Sequence, residues 1–482
     1  MAFDKPALEL PFTNGFYQAR SEALSRQRCI NYYPVIHPVP AQSGESLQMC
    51  EGIEGILSDA GGVNRGFVRA NNIAYAVMGQ NLYKIERTLN PDLTETYTRT
   101  QISGTIAGSE RVIMVRGFNP TSDQIVIVVP GVAAYAVVLD VITDLSGQTN
   151  FSSFDGTQYT VDDVVNINGF FVFLQTGTNV VFQSELNDAL TYEALAFERV
   201  TQITKVIGII KFRNQLFVMG EDETIPYVFF AGENFFFQGQ ANSVIDSGLR
   251  AVHAKTRIRQ SFVYLGGGSN AEPAVWLYSG GSPQKISTHA VDEILQNQRD
   301  LSDAFILNFS RKGGEFICLI VNDECLCYDL ATGRWHERRS QINDEPRRWR
   351  VNSIVQVFEK LLVGDFEDGR IGIIDDQVYS EYGNSIHRSF AMQPFDNKGK
   401  AIRISEAMLS MDVGFGGSVA MDYSDDGYTW SNDVIRSAGD LGQYGRRVAW
   451  DRLGSTPFFR TFRFGTSDAV KCNINKVLAI AS

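Results

Sequence analysis

The stretch from Asn168 to Leu186, NGFFVFLQTGTNVVFQSEL, decides the fold. An apolar strand enters a short Gly-bearing turn and leaves through a second apolar strand, which is the pattern of an antiparallel hairpin. The figure recurs as NIAYAVMGQNLYKI from Asn72, SDQIVIVVPGVAAYAVVLD from Ser122, NQLFVMGEDETIPYVFF from Asn214, QSFVYLGGGSNAEPAVWLY from Gln260, GEFICLIVNDECLCYDL from Gly314 and EKLLVGDFEDGRIGIID from Glu359. Successive copies start roughly 45 to 54 residues apart, about the length of one four-stranded propeller blade. Seven hairpins imply six or seven blades.

The hairpins are rich in Val, Ile, Phe and Tyr, which suit sheets buried on both faces between neighbours. One hairpin alone is unstable; stacking blade on blade buries both faces, and ring closure leaves only short edges. The rival arrangement is a pair of β-sandwiches, which also has short strands and frequent turns but requires no fixed long period.

Working outward, the repeats occupy residues 61–379 and leave two flanking regions. Residues 1–60 form an N-terminal arm expected to pack on the platform described next, with a polar, helix-compatible stretch from Phe16 to Arg28 and an extended Pro-bearing segment from Cys29 to Gln42. After residue 379 the rhythm stops. A polar connector from Ser380 to Phe390 leads into AIRISEAMLSMDV, GGSVAMDYS, RRVAWDRLG, FFRTFRFGT and KCNINKVLAIA, so residues 380–482 read as a small antiparallel, sandwich-like platform. The fold class expected is all-β: a propeller plus a β platform built from the chain ends.

The 482 residues are 44% hydrophobic and 20% charged, the composition of an ordered globular protein. The net charge of −12 gives no general attraction to phosphate or to an anionic bilayer. No apolar run approaches membrane-spanning length, and the start MAFDKPALELPF lacks a basic n-region and an apolar h-region, which reads as a chain made and kept in the cytoplasm. Six scattered cysteines (Cys29, Cys50, Cys318, Cys325, Cys327, Cys472) read as reduced thiols. A two-residue turn at Asn322 and Asp323 places Cys318 across from Cys327 with Cys325 on the same face, and the expectation is an apolar cluster between blades, with a redox bridge as the alternative.

Catalytic and metal signatures are sparse. The five histidines (His37, His253, His289, His336, His387) show no metal-ligand spacing, and the glycine run Gly266 to Gly268 sits in a hairpin loop, so no metal, cofactor or catalytic residue is assigned. Ser424-Asp425-Asp426-Gly427-Tyr428-Thr429-Trp430 resembles an Asp-box turn one residue short, and its aspartate is expected to bind the backbone of its own hairpin. Arginines cluster at Arg334, Arg338 and Arg339, at Arg347, Arg348 and Arg350, and at Arg446, Arg447, Arg452, Arg460 and Arg463. Such clusters are solvated faces or docking spots. The last is interleaved with Trp450, Phe458, Phe459, Phe462 and Phe464, a composition enriched at interfaces, and with Tyr32 and Tyr33 of the arm it supplies the candidate subunit or adaptor contact: Arg446, Arg447, Trp450, Arg452, Arg460, Arg463, Tyr32 and Tyr33.

The order of features resembles the packaged-DNA stabilisation, or tail nozzle, proteins of short-tailed bacteriophages. The matching elements are Asn31-Tyr32-Tyr33-Pro34, EGIEGI from Glu51 to Ile56, NRGFVRANNIAYAVMGQNLYKI from Asn64, GSERVIMVRG from Gly108 and the tail end RRVAWDRLGSTPFFRTFRFGTSDAVKCNINKVLAIA. The resemblance implies a virion tail component, assembled in the host cytoplasm, that hangs as a hexamer beneath the portal and adaptor rings. It would close the filled head and form part of the conduit for double-stranded DNA, without enzymatic activity. Tail fibres or spikes and a needle or plug are further partners of such proteins. The long loops at Phe235 to Leu249 and Ser340 to Trp349 keep those docking sites from being carried over. A conduit must let a polyanion slide; six such chains would carry roughly −72 charges. The expected lumen is lined by Asp, Glu and backbone polar groups, with arginines at subunit contacts. A propeller glycosidase or a glycan-binding receptor is the alternative function, supported by the imperfect Asp-box.

Overall fold

A computed structural model describes residues 7–481 apart from 40, 120, 121, 154, 233 and 268–270; the first six residues quoted above and Gly268 of the glycine run lie outside this set. All seven hairpins are present, each as the middle pair of a four-stranded antiparallel unit, and the units close into a ring. Blade one spans Asn64–Ala70 to Glu95–Ile102, blade two Ile113–Phe118 to Val141–Asp144, and blade three Val161–Ile167 to Phe197–Arg199. Blade four runs from Val206–Phe212 to Phe237–Gly239, blade five from Lys255–Ile258 to Gln284–Lys285, and blade six from Phe305–Arg311 to Arg334–Glu337.

Blade seven explains the ring closure. Val351–Val357, Lys360–Asp365 and Ile371–Asp375 come from the end of the repeat region, whereas its fourth strand, Gly52–Leu57, comes from the N-terminal arm. Ile374 pairs with Ile53 and Asp375 with Gly52. Gly52 is needed for close approach: a Cβ there would strike the carbonyl oxygens of Val378 and Ser380. The choice between six and seven blades resolves to seven.

Between each blade and the next lies its own apolar core. Val77, Leu82, Ile125 and Ile127 join blades one and two, while Val172, Val181, Ile209 and Val218 join three and four. Val263, Val275, Ile317 and Leu319 join five and six, where the helix His289–Gln296 adds Val291 and Leu295. Full burial of one such side chain stabilises by about 1.5–3 kcal/mol, so stacking holds each hairpin in place.

The platform is a sandwich, and both of its sheets take strands from both chain ends. One sheet orders Tyr32–Ile36, Glu45–Met49, Ile474–Ala481, Ile402–Met411 and Val448–Asp451. The other orders Arg26–Ile30, Arg388–Ala391, Phe459–Thr466, Ser418–Ser424 and Val434–Ser437. Tyr32, Leu47, Phe390, Trp450, Phe462, Phe464 and Val477 fill the space between them.

The second sheet does not end at the platform. Arg26–Ile30 also pairs with Arg334–Glu337 of blade six, through Ile30 and Glu337, so one sheet runs from propeller into sandwich. The helix compatibility of Phe16 to Arg28 is overridden here. Tyr17 pairs with Gln27 and Gln18 with Arg26 about a turn at Ser21–Leu24, because the blade edge and the platform edge supply backbone partners that an isolated helix would forgo.

The cysteine register is as expected, with Cys318 opposite Cys327 and Cys325 opposite Ile320, all three in the core between blades six and seven. The expectation of six reduced thiols is corrected: Cys318 and Cys327 are joined as a disulfide, and the other four are free and buried. Burial pushes the Cys325 thiol up to about 12, so it is a poor nucleophile toward that bond. Thiol titration of protein denatured without reductant should find four free groups, rising to six after reduction; six at the outset would show the pair to be open.

Candidate assembly interface

The arginine and aromatic cluster near the C-terminus divides into an interior and a surface. Trp450 is 0% exposed and its Nε1 donates to the Val434 carbonyl at 2.6 Å. Arg460 is 2% exposed, gripped by both carboxylate oxygens of Asp425 at 2.6 and 2.7 Å and stacked 3.8 Å over the Tyr423 ring. Tyr32 is buried and donates to the Cys472 carbonyl at 3.1 Å, while Tyr33 packs edge-on against Phe316. These four side chains build the core, so the expected contact surface narrows to Arg446, Arg447, Arg452 and Arg463. The reason is the two-residue period of a strand: alternate members of an Arg/aromatic run face inward, and sequence alone leaves the inward set undetermined.

The surface part is a loop and a groove. From Gly439 to Arg447 the chain crosses the sandwich end with Leu441 84% and Tyr444 65% exposed, beside the exposed Arg446 and Arg447. Tyr444 leans edge-on on Phe415, over which the Lys471 ammonium sits at 5.4 Å, and Arg447 pairs with Glu406. Exposed apolar side chains ringed by cations form a docking composition. Leu441, Tyr444 and Phe415 were missed by the sequence reading, although apolar residues in a Gly-punctuated loop were a signal of exposure.

The groove, of about 530 Å³, crosses the outer face of the second sheet over Ser389, Ala391, Ala420 and Gly465, small residues that leave room. Arg28, His387 and Arg463 line it with Asp422, Asp433 and Asp468. Arg463 pairs with Asp422 and lies 4.2 Å over Trp430. Burial raises the Asp422 carboxyl while Arg463 opposes the rise, and burial with nearby arginines lowers the His387 imidazole.

The Asp-box behaves as a turn. Asp426 accepts the backbone N–H groups of Tyr428 and Thr429, both at 2.7 Å, and the Thr429 hydroxyl, which holds its carboxyl well below the usual range. With Asp425 bound to Arg460, both carboxylates are occupied by structure.

The other arginine groups also find partners inside the chain. Arg334 takes Glu45 of the arm at 2.7 and 2.8 Å, Arg350 takes Asp365 at 2.6 Å, and Arg338 lies 3.9 Å over the Trp349 ring. Arg347 pairs with Asp323 at 2.8 Å, and Arg348 covers Phe366 at 3.8 Å. The long loop at Ser340 to Trp349 is a hairpin, Arg339–Ile342 with Glu345–Arg348, seated on these contacts. Of these two groups, Arg338 and Arg350 are buried and so depart from the expectation of solvated faces or docking spots, while Arg347 stays half-exposed at the surface.

Removing one member of a buried ion pair strands the other. Asp425→Ala should cost about 2–3 kcal/mol of stability by leaving the Arg460 guanidinium unpaired, read by chemical denaturation. Arg447→Ala, at the surface, should cost under about 0.5 kcal/mol.

Comparison with known proteins bears on the same architecture. No curated protein matches the chain. Among solved structures, the computationally designed Ika8 protein is 11% identical with a TM-score of 0.36, over 67% of this chain and 100% of that one. PorZ, a surface component of the type-IX secretion system of Porphyromonas gingivalis, is 11% identical with a TM-score of 0.41, over 79% of this chain and 46% of PorZ. Two family models match in tandem: the β-propeller of bacteriophage P22 Gp10 over residues 8–379 and the β-sandwich of the same protein over 387–481. With both halves of the fold covered in the same order, the chain belongs to the bacteriophage P22 Gp10 family, the tail accessory or nozzle-type structural proteins of short-tailed phages.

Proposed function

We propose that this protein docks as a hexameric ring beneath the portal–adaptor complex, closes the DNA-filled head and forms part of the conduit through which the genome leaves. The observation that carries this reading is the tandem family match across propeller and sandwich. Two features of the chain support it. The sandwich is fastened to the propeller by a shared sheet, so load applied at one end reaches the other through backbone hydrogen bonds. The sandwich also exposes Leu441, Tyr444, Arg446 and Arg447, which would serve as an apolar and basic contact surface, with Arg452 and Arg463 as further contacts on the same domain.

Charge fits the role of a wall. A chain of net charge −12 repels phosphate, so DNA in its lumen would slide instead of binding. The exposed arginines at the sandwich end would then serve contacts between acidic subunits. The glycosidase or glycan-binding alternative rested on the Asp-box, whose two carboxylates are occupied by the turn and by Arg460.

Negative-stain imaging of the full chain mixed with the adaptor ring of its phage tests the proposal. A six-fold tube with a central hole is the expected result. Single chains bound without closing a ring, or no association with the adaptor, would overturn it.

A further inference from the structure

The axial cavity of the propeller, about 540 Å³, is lined by the innermost strands of all seven blades and carries a charge opposite to that of the protein as a whole. Arg111, Lys211, Lys255 and Arg257 face it, with His253, against one carboxylate, Asp163. That carboxylate is fully committed. Its Oδ1 accepts the Val164 N–H at 2.9 Å, and its Oδ2 accepts the Ile209 N–H and the Lys255 ammonium, both at 2.7 Å.

Three cations are left over. Arg111 lies 3.9 Å over the Phe305 ring and donates to the Asn352 carbonyl, but no carboxylate among the described residues pairs with Arg111, Lys211 or Arg257. The Asn166 amide nitrogen, buried at the same cavity, has no hydrogen-bond partner. The wall therefore offers donors in excess of acceptors, in a space partly withdrawn from solvent. Crowding shows in the titrating groups. Burial, with Arg257 beside it, lowers Lys211; burial, with Arg348 beside it, lowers Arg111 to about 9; and burial, with Arg111 and Lys255 beside it, lowers His253.

We propose that the axial cavity binds a multivalent oxyanion of the phosphate class, held by Lys211 and Arg257 with Arg111, Lys255 and the Asn166 amide around it. Repulsion among fixed cations is relieved by an anion that accepts hydrogen bonds from several at once, and phosphate oxygens do so at low geometric cost. A carboxylate side chain in their place would have served stability equally well; the strands instead carry Asn166, Asn308 and Ser353. The ligand would tie together blades two, three, four and five at the axis, adding to the Asp163 contacts that already join blades three, four and five.

Calorimetric titration of the full chain, in phosphate-free buffer with ionic strength fixed by chloride, provides the test. Inorganic phosphate, inorganic tripolyphosphate and a nucleoside triphosphate are the three probes. Binding of one equivalent of at least one probe, with a raised melting temperature, is expected. A stronger response to tripolyphosphate identifies an inorganic ligand, and a stronger response to the nucleoside triphosphate identifies a nucleotide. The double variant Lys211→Gln, Arg257→Gln should weaken binding about tenfold or more by removing two charge-assisted donors. Its unliganded melting temperature should not fall, because neither side chain makes an ion pair in the described structure. The single variant Arg257→Gln, at the exposed rim, gives a milder loss, whereas Arg447→Gln on the distant sandwich leaves affinity unchanged. Absence of binding by all three probes, or binding equal in the double variant, overturns the proposal.

Discussion

One side chain hydrogen-bonds across the junction where arm, propeller and sandwich meet. Asn31, buried at the point where the arm passes from blade six to the sandwich, sits at φ +55°, a left-handed conformation that asparagine tolerates better than most residues. Its amide donates to the carbonyls of Arg339, at the end of blade six, and His387, at the start of the platform, both at 2.8 Å. Its amide oxygen accepts the Arg339 N–H at 3.1 Å, and its own backbone N–H reaches Glu337 at 2.8 Å. Arg28, three residues earlier, grips the buried Glu337 carboxylate. Around this point propeller, arm and sandwich become one hydrogen-bonded body.

From that junction the rest follows in both directions. The chain before it contributes Arg26–Ile30 to the sheet that bridges both domains, and Leu8–Leu10 to the other sandwich sheet. The chain after it crosses the sandwich as Tyr32–Ile36 and Glu45–Met49 and then closes blade seven as Gly52–Leu57. A ring closed by a strand from the far end of the chain opens only when the arm leaves, and the arm leaves only when the sandwich also gives up its strands. Such coupling leaves local opening at one end no independent route. Two arginines around it, the half-buried Arg334 on Glu45 and the buried Arg338 on Trp349, extend the same seam.

Much of this was legible in the residues. The seven hairpins announced the blades because strands buried on both faces are written as near-continuous Val, Ile and Phe runs, and because the period was steady. The platform strands after residue 400 were equally plain. The arm was not, since Phe16 to Arg28 has a composition that suits a helix, and beyond the local pairing of Tyr17 and Gln18 with Gln27 and Arg26, the other strand partners of Arg28–Ile30 lie more than 300 residues away in sequence; nothing local encodes that longer pairing. The candidate contact set failed in part for a related reason. Trp450 and Arg460 look like neighbours of Arg447 and Arg463 in one dimension, but the alternation of a strand and a carboxylate at Asp425 turn them inward. The Cys318–Cys327 register was derivable from its two-residue turn, whereas its oxidation state was not. The excess of positive charge along the propeller axis was equally hidden, because Arg111, Lys211 and Arg257 come from three different blades.

The most direct test of the junction is calorimetric unfolding of the native chain beside Asn31→Ala. The native protein should unfold in one cooperative transition, with propeller and sandwich melting together. The variant, which leaves the Arg339 and His387 carbonyls without their donor, should melt lower and resolve into two transitions. Two separate transitions in the native chain, or an unchanged single transition in the variant, would contradict the claim that this amide joins the domains.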